Sequence, residues 1–200
     1  MWTYKVEGFG AQVPLPRHDE RVRTKKWAID AARAVAERSP YQPVPEGEVS
    51  LVVHDLMWLF GHYRGLPQAD FADAWIQEPR FGVDAFSTMS KLTADDSLAS
   101  PEDVSTFNVT PGRPVQPRRT HRTSYPAGTA GVSYSVVEGV FCGEPHQVRH
   151  LNHFLFLRDQ PGGIVTLHFE WQNWEVDDAI RETAEMIMAS LVVEPVPAHH

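Results

Sequence analysis

The chain of 200 residues is 42% hydrophobic and 22% charged, a balance that suits one globular domain with a single sizeable core. Its formal net charge of -8 excludes a whole-surface attraction to nucleic acid or acidic lipid, because such partners need a dense positive field. The lone cysteine, Cys142, cannot form an internal disulfide. The start has no signal-peptide pattern and no run approaches about 18 apolar residues, so a cytoplasmic protein with no membrane partner is expected.

Trp2, Tyr4 and Val6 alternate, and after Gly8 so do Phe9, Ala11, Val13 and Leu15. This predicts a strand bent or bulged at glycine and stopped by Pro14 and Pro16. Over residues 19–38, Trp27, Ala28, Ala31, Ala32, Val35 and Ala36 recur at helical spacing before SPYQPVPEGE breaks the pattern. The next stretch, SLVVHDLMWLF, is too apolar for its period to decide, but Leu51, Val52 and Val53 predict a buried strand at its start. Phe71 and Trp75, four apart, and Phe86, Met89 and Leu92, three apart, predict short helices over residues 66–92. PGRPVQPRRTHRTSYPAG, residues 111–128, predicts an exposed loop or an extended edge.

From residue 131 the order is strand, strand, strand, helix, short strand. Asp177 and Asp178 suit the start of that helix, and Ile180, Ala184, Ile187, Met188 and Leu191 form a stripe that must lie on a sheet. The fold class is therefore α+β, an antiparallel β-sheet with helices packed on it. Residues 1–195 are expected to form one domain and residues 196–200 a disordered tail, whose His199 and His200 are left out of any metal argument.

GTAGVSYSVVEGVF, then HLNHFLFLRDQPGGIVTLHFEW, then VDDAIRETAEMIMASLVVEP, together with the opening YKVEGFGAQVPLP, resemble the PsbP-like, or Mog-type, α/β/α sandwich. That superfamily includes DcrB-like bacterial members and actinobacterial lipoproteins. The likeness covers about half of the chain, and residues 19–38 and 66–92 are bulkier than the family core. It implies a protein that binds other proteins, as accessory subunit, adaptor or chaperone, with no shared active site.

The histidines of HLNHFLFLRDQPGGIVTLHFEW pose the main chemical question. If Phe154 and Phe156 share a face with Val165, Leu167, Phe169 and Trp171, a turn centred on Gln160 and Pro161 sets His153 opposite His168, with Glu170 on the same face. Two imidazoles and a carboxylate can hold a divalent metal or move protons, although a half-exposed sheet face also carries such residues in a merely hydrated state. Cys142, His146 and His150 are spaced four and four but match no recurrent metal signature. His54 and Asp55 are adjacent and would diverge on a strand. No GxSxG, HExxH, phosphate loop or GxGxxG occurs, and Ser133 and Ser135 read as alternating strand serines.

Arg113, Arg118, Arg119 and Arg122 lie with His121 in a stretch free of acids. They could grip a phosphate or an acidic partner, or be a solvated loop that offsets acidic neighbours. Trp171 and Trp174 have opposite parity, so one of them would be exposed on a continuing strand, unless a turn tucks both under the helix. The leading expectation is a protein-binding adaptor, accessory subunit or chaperone that uses these arginines and tryptophans and needs no cofactor. The alternatives are a metal-dependent enzyme or binder using His153, His168 and Glu170, and a small-ligand carrier.

Overall fold

The chain runs through β1 (Trp2–Lys5), β2 (Gln12–Pro14), helices α1 (Thr24–Arg38) and α2 (Glu46–Arg64), then β3 (Phe71–Trp75) and β4 (Ala85–Thr93). It continues with β5 (Arg113–Pro114), β6 (Arg119–Tyr125), β7 (Gly128–Phe141), β8 (Glu144–Leu157), β9 (Gly163–Trp171), α3 (Asp177–Ser190) and β10 (Val192–Pro195). This computed structural model describes residues 2–5, 12–17, 22–64, 69–95, 97–105 and 112–195. Residues 6–11 of the opening strand pattern, and the tail at 196–200, lie outside them.

Eight strands form one antiparallel sheet in the order β2-β3-β4-β9-β8-β7-β5, with β6 also paired to β7. β1 and β10 pair separately as a two-stranded sheet. The α+β expectation therefore holds, and the order β7, β8, β9, α3, β10 matches the pattern read from residue 131 onward. The opening alternation serves two sheets instead of one bent strand.

Residues 50–60 are helical, not a buried strand. Val49, Val52, Leu56, Leu59 and Tyr63 are buried at helical spacing, while Leu51 is 40% and Met57 39% exposed. Glu46 and Glu48 occupy the first turn, where the positive end of the peptide dipoles favours them. Burial along one stripe overrides the strand preference of Val52 and Val53.

Residues 66–92 reverse the expectation in the other direction. The described part holds β3, a one-turn 3-10 segment (Pro79–Phe81) and β4. A four-residue spacing is also two strand repeats, so Phe71 and Trp75 fit either period. Phe86 packs with the α1–α2 cluster and Met89 with the opposite one, because both faces of β4 are covered. A strand buried on both faces loses its alternation. Residues 111–128 adopt the extended-edge alternative, as β5 and β6.

One face of the sheet carries α3. Ile180, Ala184, Ile187 and Met188 pack with Ala130, Val132, Leu151, Leu155, Val165, Leu167, Phe169 and Trp171. Among the described residues, two separate apolar groups cover the other face. At one end α1 and α2 lie over Ala74, Phe86, Val137, Phe141 and Val148; at the other, Leu98 and Val104 cover Phe154 and Ile164. Gly131 allows that second cover to approach, since a Cβ there would stand 2.4 Å from the Pro101 carbonyl oxygen. The β7–β8 hairpin closes through Cys142 and Gly143, with φ of 51° and 90°, the left-handed pair of a two-residue I′ turn.

Candidate metal centre

The register of β8 and β9 differs by one residue from the expected one. Asn152 stands opposite His168, His150 opposite Glu170, and His153 opposite Leu167. His153 and His168 therefore lie on opposite faces, and His153 leaves the proposed cluster. The physical reason is in the turn and the covers. Gly162, at φ 76°, lengthens the loop, and Gly163 N–H closes it on the Gln160 carbonyl at 2.8 Å. Phe154 does not need to join Leu167 and Phe169 under α3, because Val104 and Leu98 bury it on the other side.

Between the two covers of that other face, the ladders place two polar rows across the strands. One row is Ser133, Asn152, His168 and Thr88; the other is Ser135, His150 and Glu170, ending on Phe86. Ser133, Ser135, His150, Asn152 and Thr88 are all buried. Five buried polar residues thus share one trough with His168 and Glu170, the kind of local inconsistency that marks a functional site.

Three donor atoms converge there. His168 Nε2 lies 2.9 Å from Glu170 Oε1, His150 Nδ1 lies 3.4 Å from His168 Nε2, and His150 Nδ1 lies 3.8 Å from Glu170 Oε1. Donors held at about 2.1 Å by a tetrahedral zinc ion stand about 3.4 Å apart. The other ring nitrogen of His168, Nδ1, is 2.5 Å from Asn152 Oδ1. As that amide oxygen can only accept, Nδ1 carries a proton in either state of the ring: as an imidazolium His168 also donates from Nε2 to Glu170, and as a neutral imidazole it turns a free Nε2 lone pair to the other two donors.

α2 supplies the wall. His62 stacks on Trp58, with ring centroids 5.1 Å apart, and meets Phe86 edge-on. Its Nε2 is buried without a hydrogen-bond partner among the described residues and lies 3.9 Å from Glu170 Oε2. That orphaned nitrogen is the nearest candidate for a fourth donor.

The electrostatics favour a cation. Burial opposes the charge of Glu170, but the hydrogen bond from His168 and the fields of His168, His150 and His62 outweigh it, holding the carboxyl down to about 2. Burial, with the neighbouring His168 and His62, lowers His150 to about 4, against the pull of Glu170. At neutral pH the site thus holds an ionised carboxylate and a neutral imidazole, the forms that bind metal.

The remaining expected site residues are scattered. His153 is 1% exposed beneath α3, its Nε2 3.4 Å from Glu185 Oε1, and Tyr125 donates to Glu185 Oε2 at 2.5 Å. Trp171 is fully buried and donates to Asp177 Oδ1 at 2.7 Å, so it is removed from any partner surface; Trp174 is 68% exposed. Arg113 is 4.0 Å from Glu138, Arg122 pairs with Glu102, and Arg118 donates to the Val104 carbonyl, while Arg119 is exposed on β6. His146 is exposed, and Cys142 is buried, with burial pushing its thiol well above the usual range. His54 and Asp55 do not diverge: on α2 their side chains meet at 3.1 Å, while the second carboxylate oxygen accepts from Val83 N–H at 3.0 Å.

Sequence reasoning thus found His168 and Glu170, grouped His150 with Cys142 and His146 instead, read Ser133 and Ser135 as plain strand serines, and missed Asn152 and His62. A usable signal was present in the paired spacings His150-x-Asn152 and His168-x-Glu170, each putting two polar groups on one face of its strand. Nothing local could have brought His62 to them.

No protein-family model and no curated protein matches the chain. Among solved structures it is similar to the crystal structure of LpqN, involved in cell envelope biogenesis of Mycobacterium tuberculosis, at 13% identity and a TM-score of 0.45, over 98% of this chain and 85% of that one.

Proposed function

We propose that this protein binds one divalent transition-metal ion, zinc by preference, through His150, His168 and Glu170. The observation that carries the reading is the donor triangle of 2.9, 3.4 and 3.8 Å, together with the Asn152 contact that orients His168. Two imidazoles and a carboxylate suit zinc better than calcium or magnesium, which prefer all-oxygen sites. Three protein donors leave a fourth position for water, for His62 or for a ligand.

The test is zinc titration by calorimetry with metal analysis, on a His199→Ala/His200→Ala background that removes chelation by the tail. One zinc per chain is expected, with affinity lowered about 100-fold or more in His150→Ala and in Glu170→Gln. Absence of stoichiometric zinc, or unchanged affinity in both variants, sinks the reading.

A second reading is favoured by a separate feature. Trp174, 68% exposed, and the exposed Arg119 and Arg122 of β6 support a non-enzymatic role in binding another protein, since tryptophan and arginine anchor interfaces. Crosslinked partner capture from the source organism, lost in Trp174→Ala/Arg119→Glu, would support it; undiminished capture would remove both residues from the interface. The PsbP-like kinship belongs to the same proposal and draws on the succession β7, β8, β9, α3, β10. None of the described helices is long and apolar enough to cross a membrane.

A further inference from the structure

Beside the metal trough, the chain leaves the edge of the sheet and returns to it. β5 pairs at Pro114 with Val137, and Val115 N–H donates to the Val136 carbonyl at 2.9 Å; β6 resumes at Arg119 opposite Tyr134. Residues 116–118 therefore arch away from the ladder. Pro117 has no N–H to give to the sheet, and Arg118 reaches the Val104 carbonyl, on the face that carries the trough. Under this arch lies a cavity of about 600 Å³, lined by Pro114, Val115, Pro117, Arg118, Ser135 and Val137. That volume is in the range of small-molecule sites.

Arg118 is the informative residue. Burial lowers the pKa of its guanidinium, which means its charge is partly desolvated. Its Nε is buried without a hydrogen-bond partner, and no carboxylate pairs with it among the described residues. Of the other arginines in this stretch, Arg113 faces Glu138, Arg122 pairs with Glu102, and Arg119 is exposed to solvent, whereas Arg118 is half-buried. A half-buried cation with an unmade donor, set in a wall of prolines and valines, is complementary to an anion with an apolar body. A guanidinium fork suits the two oxygens of a carboxylate.

We propose that the cavity under the 116–118 arch binds a small organic carboxylate, its acid on Arg118 and its apolar chain against Pro114, Val115, Pro117 and Val137. The site shares a wall with the metal centre, since Ser135 is paired with His150, but no donor. It therefore stands or falls apart from the zinc reading.

The experiment is calorimetric titration of hexanoate into the full chain, once in EDTA and once after zinc is added, with hexanol as the uncharged control. Saturable 1:1 binding of hexanoate in EDTA is expected, with hexanol at least about tenfold weaker. Arg118→Gln should weaken hexanoate at least about tenfold. Val115→Phe, at a position 43% exposed, should fill the cavity and weaken binding while leaving the core untouched. It keeps the test decisive if loss of the Val104 contact unfolds the Arg118 variant. No binding by the wild-type chain, equal binding of hexanol, or binding unchanged in a folded Arg118→Gln or in Val115→Phe overturns the proposal. Binding that appears only with zinc and disappears in Glu170→Gln overturns it too, because the carboxylate would then sit on the metal.

Discussion

The two faces of β7, β8 and β9 follow different rules although they alternate along the same strands. Under α3, Leu151, Leu155, Leu167, Phe169 and Trp171 form an apolar layer interrupted by His153, which keeps a partner in Glu185. On the other face the corresponding positions are Ser133, Ser135, His150, Asn152, His168 and Glu170, with apolar residues only beneath the two covers. The first face is optimised for burial. The second keeps charged and polar groups out of water where hydrocarbon would be cheaper, so its residues are explained by what they hold and not by stability.

The comparison can be broken most strongly on the metal side. In His150→Leu/Glu170→Leu zinc binding should be abolished, while stability in urea stays level or rises by about 1–4 kcal/mol, as when hydrophobic groups replace a buried charged cluster. A large loss of stability would show that the trough is structural. On the α3 face the sign reverses: Phe169→Ala, at a fully buried ring, should cost about 3–5 kcal/mol, read from the shift in urea midpoint, with zinc affinity unchanged.

A pH series sharpens the contrast. The folded state holds His150 at about 4, below the unfolded value of about 6.5. The unfolded chain therefore binds more protons between those limits, and this group's share of stability is full above about 6.5 and falls, by about 3 kcal/mol, as pH drops to about 4. Burial raises Asp73 and Asp84 to about 6, so their contribution runs the other way, with stability lost as pH rises through about 6. The difference in urea stability between wild type and His150→Leu isolates the histidine. It should grow in favour of the variant on acidification, and a difference independent of pH would remove His150 from this role.

The smallest effect is expected at the two tryptophans. Trp174→Ala should change stability by no more than about 0.5 kcal/mol, since its ring is mostly in solvent, whereas Trp171→Phe loses the hydrogen bond to Asp177 and should cost about 1–3 kcal/mol. Equal effects in urea would contradict the opposite placement of the two rings.

Much of the fold was legible because α3, β7, β8 and β9 each carry their own period. The amphipathic stripe from Ile180 to Met188 needs only its own residues to be recognised. The errors at residues 50–60 and 66–92 share a lack of contrast: α2 carries exposed apolar residues, Leu51 and Met57, outside its one buried stripe, and β4 is buried on both faces, so neither shows a clear period. At the site, the imidazoles and Glu170 were visible as chemistry, but their grouping depended on a register that a single residue reverses.

The amino-acid sequence by itself determined the class of the fold, the β8–β9 hairpin, the helix that follows it, and the presence of histidines and a glutamate on those strands, because these are local properties of spacing and turn chemistry. Only the tertiary structure decided which imidazoles meet. Gly162 in the turn, the cover of Leu98 and Val104 over Phe154, and α2 bringing His62 from about a hundred positions away in the chain select one of two registers that local pattern leaves nearly equal, and side-chain parity then turns that choice into a site.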